Sequence, residues 1–491
     1  MKTSLQKRAG AAALLTDLYQ LTMAYGYWKA HKPDQEAVFH LLFRKHPFKS
    51  GFTIASGLAD AIQYLLGFKF EKSDIDYLAE LKGNNGKRLF DADFLKYLGS
   101  LKLKLDVDAI PEGTVVYPHE PLIRVRGSIL QGQLVETALL NLMNFQSLIA
   151  TKAARVCMAA QGDPVIEFGL RRAQGIDGAL TASRAAYIGG CAGTSNVLAG
   201  KMFGIPVKGT HAHSWVMSFE NELESFEAYA KVMPNNCIFL VDTYDTLEGV
   251  RHAIEVGKRL KKQGHKMVGI RLDSGDLAFL SIEARKLLDA AGFKDARIVA
   301  SNDLNEHLIA SLKQQGAAID TWGVGTMLVT AYDQPALGGV YKLSALRKPD
   351  GSWDYKIKLS EQAAKVTNPG VLQVRRFQNG KEFIGDAIFD GTRPITKRVT
   401  IVDPAEPTRR KHFAPGAKYE DLLVPILRRG KLVYDPPSLE KIRARAQRQL
   451  AMLHPSIKRF ENPHRYPAGL ELSLHELKTN LILRAKGEIP G

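Results

Sequence analysis

The chain has 491 residues, a mass of 54.2 kDa and a formal net charge of +16. Its apolar content of 45% and charged content of 24% are those of a globular protein. No run approaches the ~18 consecutive apolar residues needed to cross a bilayer. These values exclude a membrane-spanning protein and predict two or three domains.

The cysteines and the N-terminus indicate the compartment. Cys157, Cys191 and Cys237 are far apart and lack metal-ligand spacing, so we expect neither a disulfide framework nor a zinc site. The N-terminus faintly resembles a secretory signal, but the apolar stretch after Arg8 has only about seven residues and runs into Thr16-Asp17. The sequence therefore predicts a cytoplasmic protein.

The basic charge is concentrated near the C-terminus. From Ala405 to Gly491 there are 17 Lys and Arg against 9 Asp and Glu. This pattern favours a solvated basic face over a nucleic-acid site, and a basic protein also suits polyphosphate substrates. Nucleic-acid binding through this tail is the alternative. It predicts an affinity for nucleic acid that falls steeply with salt and that is unchanged when His213, a candidate catalytic residue elsewhere in the chain, is replaced.

The first 130 residues predict a small α+β domain. Prolines at 111, 118 and 121 divide its C-terminal part into short pieces. Periodicity predicts helices over 17–30, 57–66 and 94–98 and strands over 37–43, 115–117 and 122–125.

Residues 131–344 alternate short apolar runs with helical patterns, which predicts a βα-barrel catalytic domain with a parallel sheet. The predicted strands are 165–168, 205–207, 238–241, 267–270, 297–300 and 321–324; the clearest helices are 214–230, 247–263 and 277–291. An open doubly wound sheet is the alternative, and both arrangements gather the carboxyl ends of the strands at one edge. Residues 345–403 are strand-rich and are expected to complete the N-terminal domain, and 404–491 form a basic C-terminal extension without an assigned functional residue.

Two histidines stand between a strand and a helix in Gly209-Thr210-His211-Ala212-His213-Ser214. A histidine there can move a proton or act as a nucleophile, and a helix N-terminus favours bound anions. A loop histidine that only makes hydrogen bonds is the alternative.

Other strand ends carry phosphate-binding residue types. Arg171, Arg172 and Arg271 offer planar forks for carboxylate or phosphate. The glycines of Gly323-Val324-Gly325-Thr326 offer unhindered N–H groups, and Asp273 and Asp276 are candidate Mg²⁺ ligands. Each signal alone has an ordinary alternative. An arginine pair is usually a surface feature, a Gly-x-Gly is usually a turn, and an Asp-Ser-Gly-Asp is usually a helix cap.

Together these segments resemble the nicotinate phosphoribosyltransferase family, in the family's order, from about residue 14 to about residue 390. The resemblance lies in Thr16-Asp17-Leu18-Tyr19-Gln20-Leu21-Thr22-Met23, Glu167-Phe168-Gly169-Leu170-Arg171-Arg172-Ala173-Gln174-Gly175, Gly209-Thr210-His211-Ala212-His213-Ser214, Arg271-Leu272-Asp273-Ser274-Gly275-Asp276 and Gly323-Val324-Gly325-Thr326.

This resemblance implies an α/β protein with the type II phosphoribosyltransferase fold, an irregular βα barrel with an N-terminal α+β domain, as a homodimer with shared active sites. It implies that nicotinate and 5-phosphoribosyl 1-diphosphate give nicotinate mononucleotide and diphosphate in NAD salvage, with Mg²⁺ and with ATP hydrolysis in a ligase-type reaction. Small molecules are the expected partners.

The resemblance also implies roles for individual residues. His213 is the expected phosphohistidine, with His211 its neighbour and Asp273 a second catalytic group. The expected nicotinate contacts are Tyr19 from the partner subunit, Phe168, Thr210, Arg271 and Ser195. The expected phosphoribosyl diphosphate contacts are Arg171, Ser274, Gly275, Gly325 and Thr326. The metal ligand is left open between Asp273 and Asp276.

Three related alternatives remain. The nicotinamide-specific family has an aspartate at the position of Ser195, which would repel a carboxylate, so Ser195 favours the acid. The quinolinate-specific family is shorter and needs further basic residues. A catalytically inactive relative is disfavoured because the motif residues are present.

Overall fold

The computed structural model describes residues 13–362, 365–393, 395 and 398–489. The chain forms two compact units, one of Met1–Leu148 with Ala336–Gly491 and one of Ile149–Pro335. The sequence placed its domain boundaries after residues 130, 344 and 403. None of the helices in the described ranges has both the length and the apolar surface that a bilayer span requires.

The first unit begins with helices that alternate with short strands, close to the predicted positions. The elements are α1 (Leu18–Lys29), β1 (Glu36–Phe43), β2 (Thr53–Ile54), α2 (Leu58–Gly67), α3 (Lys72–Glu80), α4 (Ala92–Ser100), β3 (Asp106–Ala109), β4 (Val115–Val116), β5 (Ile123–Ser128), α5 (Ile129–Leu134) and α6 (Glu136–Ala159), which continues into the second unit. Strand β1 lies between β12 and β5 in a seven-stranded sheet. It is buried from Ala37 to Phe43 without alternation, so both of its faces are covered there.

The second unit repeats strand and helix. Its elements are β6 (Val165–Glu167), α7 (Gly175–Gly189), β7 (Gly193–Thr194), α8 (Val197–Phe203), α9 (His213–Met217), α10 (Glu222–Val232), β8 (Ile238–Leu240), α11 (Thr246–Lys262), β9 (Gly269–Leu272), α12 (Leu277–Ala290), β10 (Arg297–Ala300), α13 (Glu306–Gln314), β11 (Thr321–Val324) and α14 (Thr326–Val329).

The strands of the second unit form one parallel sheet in the order β7-β6-β11-β10-β9-β8, a half-barrel. The predicted parallel sheet is confirmed. Strands β6 and β11 are buried along their whole length, as expected where helices cover both faces. Aspartate or asparagine caps begin the helices that follow β8, β9 and β10, and their side chains accept N–H bonds three residues on: Asp245, Asp276 and Asn305.

Two local predictions in this unit are wrong. The strand predicted over 205–207 reduces to a single bridge between Val207 and Thr194; Pro206 lacks the N–H that a strand needs. The helix predicted over 214–230 is interrupted between α9 and α10. Asn221 begins a new helix there, because its side chain accepts the N–H of Glu224 at 2.9 Å.

The C-terminal part returns to the first unit. Its elements are β12 (Gly339–Arg347), β13 (Trp353–Tyr355), β14 (Leu372–Gln378), β15 (Phe383–Asp390), β16 (Val399–Val402), β17 (Arg410–Phe413), β18 (Lys418–Asp421), β19 (Val424–Arg428), β20 (Lys431–Leu432), α15 (Leu439–Ala451), β21 (Ala468–Glu471) and α16 (Leu472–Ala485). The sheet order β13-β12-β1-β5-β3-β19-β20 joins segments from both ends of the chain, and a second sheet has the order β17-β16-β21-β15-β14-β18.

Candidate active site

The carboxyl ends of the parallel strands bring several predicted residues together. Arg271 is on β9, and one of its guanidinium N–H groups donates to the hydroxyl of Thr210. Burial lowers the pKa of Arg271; Asp273 and Asp242 oppose that effect, whereas Arg171 adds to it. A fixed, largely buried fork is therefore present with its charge close to both acidic and basic neighbours.

His213 begins α9 and faces two carboxylates. Its Nδ1 is hydrogen-bonded to Thr243 Oγ1 at 3.1 Å. Its Nε2 lies 3.9 Å from Asp242 Oδ1 and 3.9 Å from Asp273 Oδ2, and the side chain is 37% exposed. The ring is thus held at one nitrogen, and the other nitrogen faces the acidic pair.

His211 is in a different environment. It is buried, and its ring lies 4.9 Å from that of Tyr229 between centroids. Burial lowers the pKa of His211 to about 4. Because its Nε2 accepts the Leu240 N–H at 3.3 Å, the packed His211 ring has no free nitrogen lone pair with which to act as a nucleophile.

The sequence reasoning missed the role of Asp242. This side chain is 1% exposed, and its Oδ2 accepts the N–H of Asp273 at 2.8 Å and the hydroxyl of Ser274 at 2.7 Å. Its position two residues after the end of β8 was the available signal, because every parallel strand delivers its next residues to the same edge. Thr243, missed for the same reason, comes next in the chain.

Phe168 follows β6 and packs against β11. Its N–H donates to the Val324 carbonyl at 2.9 Å. A Cβ added at Gly323 would lie 2.6 Å from two Phe168 ring carbons, and one at Gly325 would lie 3.3 Å from the Phe168 carbonyl oxygen. The absence of a side chain at Gly323 therefore leaves the space that the Phe168 ring occupies. Thr326 begins α14 immediately after Gly325.

The remaining predicted residues of this unit lie at neighbouring loops. The N–H of Ser195 donates to the Glu167 carbonyl at 2.9 Å. Arg171 is exposed on a 3₁₀ turn, and Ser274 and Gly275 are exposed in the loop after β9. Gly275 has φ +77°, a conformation that glycine adopts without strain.

Tyr19 lies on α1 in the first unit. It is 47% exposed, and its hydroxyl donates to Glu136 Oε1 at 3.3 Å. Burial and the Glu136 charge raise the pKa of Tyr19, so its hydroxyl stays protonated.

Asp242, Asp273 and Asp276 are not equally suited to bind Mg²⁺. Across the described residues, no group of three or more His, Cys, Asp and Glu side chains is arranged to hold a metal. Asp242 Oδ1, however, is buried with no hydrogen-bond partner among those residues and faces the same nitrogen as Asp273 Oδ2. Two carboxylates completed by substrate phosphates are a usual Mg²⁺ environment. Asp276 instead caps α12, accepting the N–H of Phe279 at 3.1 Å.

Three family models cover most of the chain. Residues 14–144 match the nicotinate phosphoribosyltransferase N-terminal domain, 164–354 the nicotinate phosphoribosyltransferase family and 373–478 its C-terminal domain. The chain is 44% identical over 482 residues to nicotinate phosphoribosyltransferase of Bacillus subtilis, covering 97% of this chain and 96% of that one. It is 35% identical over 544 residues to the Homo sapiens protein of the same name, covering 97% and 98%.

Solved structures give the same result for the fold. The crystal structure of human nicotinic acid phosphoribosyltransferase superposes with a TM-score of 0.82 at 33% identity, covering 95% of this chain and 99% of that one. Nicotinate-nucleotide pyrophosphorylase from Pyrococcus furiosus shares the fold with a TM-score of 0.68 at 22% identity, covering 91% and 97%. The predicted fold class is confirmed. The chain belongs to the nicotinate phosphoribosyltransferase family.

Proposed function

We propose that this chain transfers the phosphoribosyl group of 5-phosphoribosyl 1-diphosphate to nicotinate, giving nicotinate mononucleotide and diphosphate for NAD salvage in the cytoplasm. We further propose that His213 couples this transfer to ATP hydrolysis as a transient phosphohistidine, in a ligase-type reaction. The observation that carries the proposal is the adjacent placement of the Arg271–Thr210 pair and of His213 with its two carboxylates.

Nicotinate recognition follows from the charge and shape of these groups. The Arg271 guanidinium pairs with the nicotinate carboxylate, and Thr210 fixes the orientation of that guanidinium. Phe168 offers an aromatic face to the pyridine ring. Ser195 brings no negative charge to the base site, which supports the acid over the amide.

The transfer step needs little proton chemistry. The pyridine nitrogen of nicotinate is unprotonated near neutral pH and attacks C1 of the ribose, while the bond from C1 to the diphosphate oxygen breaks and diphosphate leaves with the electron pair. Catalysis therefore depends on orientation and on positive charge around the leaving group. Arg171, Ser274, Gly275, Gly325 and Thr326 are the proposed contacts to the phosphoribosyl diphosphate.

The phosphohistidine step uses the free nitrogen of His213. With Nδ1–H donating to Thr243, Nε2 keeps its lone pair, attacks the γ-phosphorus of ATP and releases ADP; water later cleaves the P–N bond and gives phosphate. Asp242 and Asp273 are the proposed Mg²⁺ ligands, and Mg²⁺ there would offset the negative charge of the phosphates.

We also propose a homodimer in which Tyr19 completes the base site of the partner subunit. One observation supports an interface at α1: this helix carries the exposed apolar residues Leu18 and Met23 beside Tyr19, and clustered exposed apolar groups are typical of association surfaces.

Mononucleotide formation tests the proposal. The purified protein is given 5-phosphoribosyl 1-diphosphate and Mg²⁺ with nicotinate, nicotinamide or quinolinate, each with and without ATP, beside His213→Ala. We expect product from nicotinate, raised by ATP, and loss of that rise in the variant. Product mainly from nicotinamide would contradict the role given to Ser195, and no product from any base in folded protein would reject the proposed activity.

A further inference from the structure

Glu167 is a buried carboxylate at the end of β6, with 1% of the residue exposed. One carboxylate oxygen, Oε1, accepts the N–H of Gly169. The other, Oε2, accepts the hydroxyl of Thr194 at 2.6 Å and that of Ser183 at 2.8 Å. Its own backbone carbonyl accepts the N–H of Ser195 at 2.9 Å. One residue therefore holds both the peptide that follows Phe168 and the turn that carries Ser195.

A second layer of hydrogen bonds fixes the direction of these donors. Thr194 Oγ1 accepts the N–H of Asn196 at 2.9 Å, and the Asn196 amide donates to Ser183 Oγ at 3.2 Å. The Thr194 hydroxyl proton is then directed at Glu167, whereas the Ser183 hydroxyl has a second acceptor in the Ala179 carbonyl at 3.0 Å. A carboxylate accepts on both of its oxygens, here from the Gly169 N–H on one and from the Thr194 hydroxyl on the other. A glutamine would turn an NH₂ group toward one of these donors.

We propose that Glu167 is a positioning residue for base recognition, which sets the spacing between the Phe168 ring and the Ser195 turn through its carboxylate. The inference rests on the proposed function, because Phe168 and Ser195 are the proposed contacts of nicotinate. Among the proposed phosphoribosyl diphosphate contacts, Arg171 shares the loop of Phe168, whereas the other four follow β9 and β11: Ser274, Gly275, Gly325 and Thr326. Because most of these contacts lie on other loops, we expect a loosened Glu167 cluster to affect the base more than the second substrate.

The test compares Thr194→Val with Thr194→Ser. Valine has the shape of threonine without the hydroxyl, and serine keeps the hydroxyl. We expect Thr194→Val to raise the KM for nicotinate about tenfold while the KM for 5-phosphoribosyl 1-diphosphate changes by less than about twofold, and Thr194→Ser to restore the wild-type value. Glu167→Gln is expected to give the same split.

Asp163→Asn is the matched control. Asp163 precedes β6 at its opposite end and accepts the indole N–H of Trp322 at 3.0 Å. This variant should lower the melting temperature and leave the KM for nicotinate unchanged. If folded Thr194→Val and Glu167→Gln keep the wild-type KM, or raise both KM values together, the inference is overturned. If Glu167→Gln does not fold, the Thr194 pair decides. Inactive wild-type protein would instead reject the proposed function.

Discussion

The Nε2 atom of His211 accepts a hydrogen bond from the Leu240 N–H at 3.3 Å. That bond leaves Nδ1 as the protonated nitrogen, which faces the Ala212 carbonyl at 3.4 Å. In His213 the corresponding Nε2 faces Asp242 and Asp273 instead. The two histidines of one motif therefore have different chemistry, because one ring supports β8 and the other borders the candidate site.

The first prediction concerns pH. Burial lowers the pKa of His211 to about 4, whereas an unfolded histidine has a pKa of about 6.5. Between these values the unfolded chain binds more protons, so the contribution of His211 to the free energy of unfolding is complete above about pH 6.5 and declines toward pH 4, by at most about 3 kcal/mol. We expect His211→Gln to flatten this decline, as measured by urea unfolding over that range.

Comparing the pH dependence of unfolding in His211→Gln and in wild type isolates the contribution of His211. Burial also lowers the pKa of His46 to about 3 and that of His119 to about 4, and both are present in either protein. Parallel pH dependences for the two proteins would contradict the structural role of His211.

The second prediction concerns Arg271→Lys. A lysine keeps the charge but loses the planar fork and the fixed bond to Thr210. We expect the KM for nicotinate to rise by about 10- to 100-fold, which corresponds to the loss of one hydrogen bond to a charged group. Steady-state kinetics at saturating 5-phosphoribosyl 1-diphosphate measures this. If only the KM for 5-phosphoribosyl 1-diphosphate rises, Arg271 contacts a phosphate of that substrate instead.

The third prediction concerns Gly323→Ala. The added Cβ would lie 2.6 Å from the Phe168 ring, so the ring must move, at a cost of about 1–3 kcal/mol in stability. We expect a lower melting temperature and weaker nicotinate binding by calorimetry. Gly178→Ala is the control, since nothing lies within 4 Å of its added Cβ on α7; it should be neutral or stabilising. Unchanged nicotinate binding in Gly323→Ala would remove Phe168 from the base site.

The sequence supported the second unit well because its signals are local. Short apolar runs separated by helical patterns predict a parallel sheet, and the sheet brings the residue after each strand to one edge. Arg271 and His213 were placed at that edge from chain position alone, and the structure puts them beside Thr210 and Asp273 respectively.

Other features depend on distant partners and left little local signal. Strand β12 pairs with β1 some 300 residues earlier in the chain, and apolar patterning does not specify a partner at that separation. Asp242 was one acidic residue among several at strand ends. Its role became apparent from two contacts, the N–H of Asp273 and the hydroxyl of Ser274, which only the folded backbone supplies.

The fourth prediction tests the shared site. If Tyr19 serves the partner subunit, each active site takes Arg271 from one chain and Tyr19 from the other chain. Tyr19→Ala and Arg271→Ala then impair the same site from different chains. Mixed after dissociation, the two inactive variants should recover about a quarter of wild-type activity, because about half of the dimers are mixed and each has one intact site. Two Arg271→Ala preparations mixed in the same way are the control. No recovery in mixed dimers identified by mass would place Tyr19 and Arg271 in the same subunit's site.

The last prediction distinguishes a helix-capping role for Asp276 from a Mg²⁺-binding role for Asp273. Asp276 caps α12, so Asp276→Ala should cost about 1 kcal/mol of stability and leave the Mg²⁺ requirement unchanged, as Asn305→Ala should at the start of α13. Asp273 faces His213 beside the Asp242 oxygen that has no hydrogen-bond partner in the described part of the chain. Asp273→Asn should therefore raise the Mg²⁺ concentration for half-maximal activity by about tenfold or more. Titration of Mg²⁺ in the mononucleotide assay measures both. A raised requirement in Asp276→Ala alone would assign the metal to Asp276 instead of Asp273, because a helix cap has no other reason to respond to Mg²⁺.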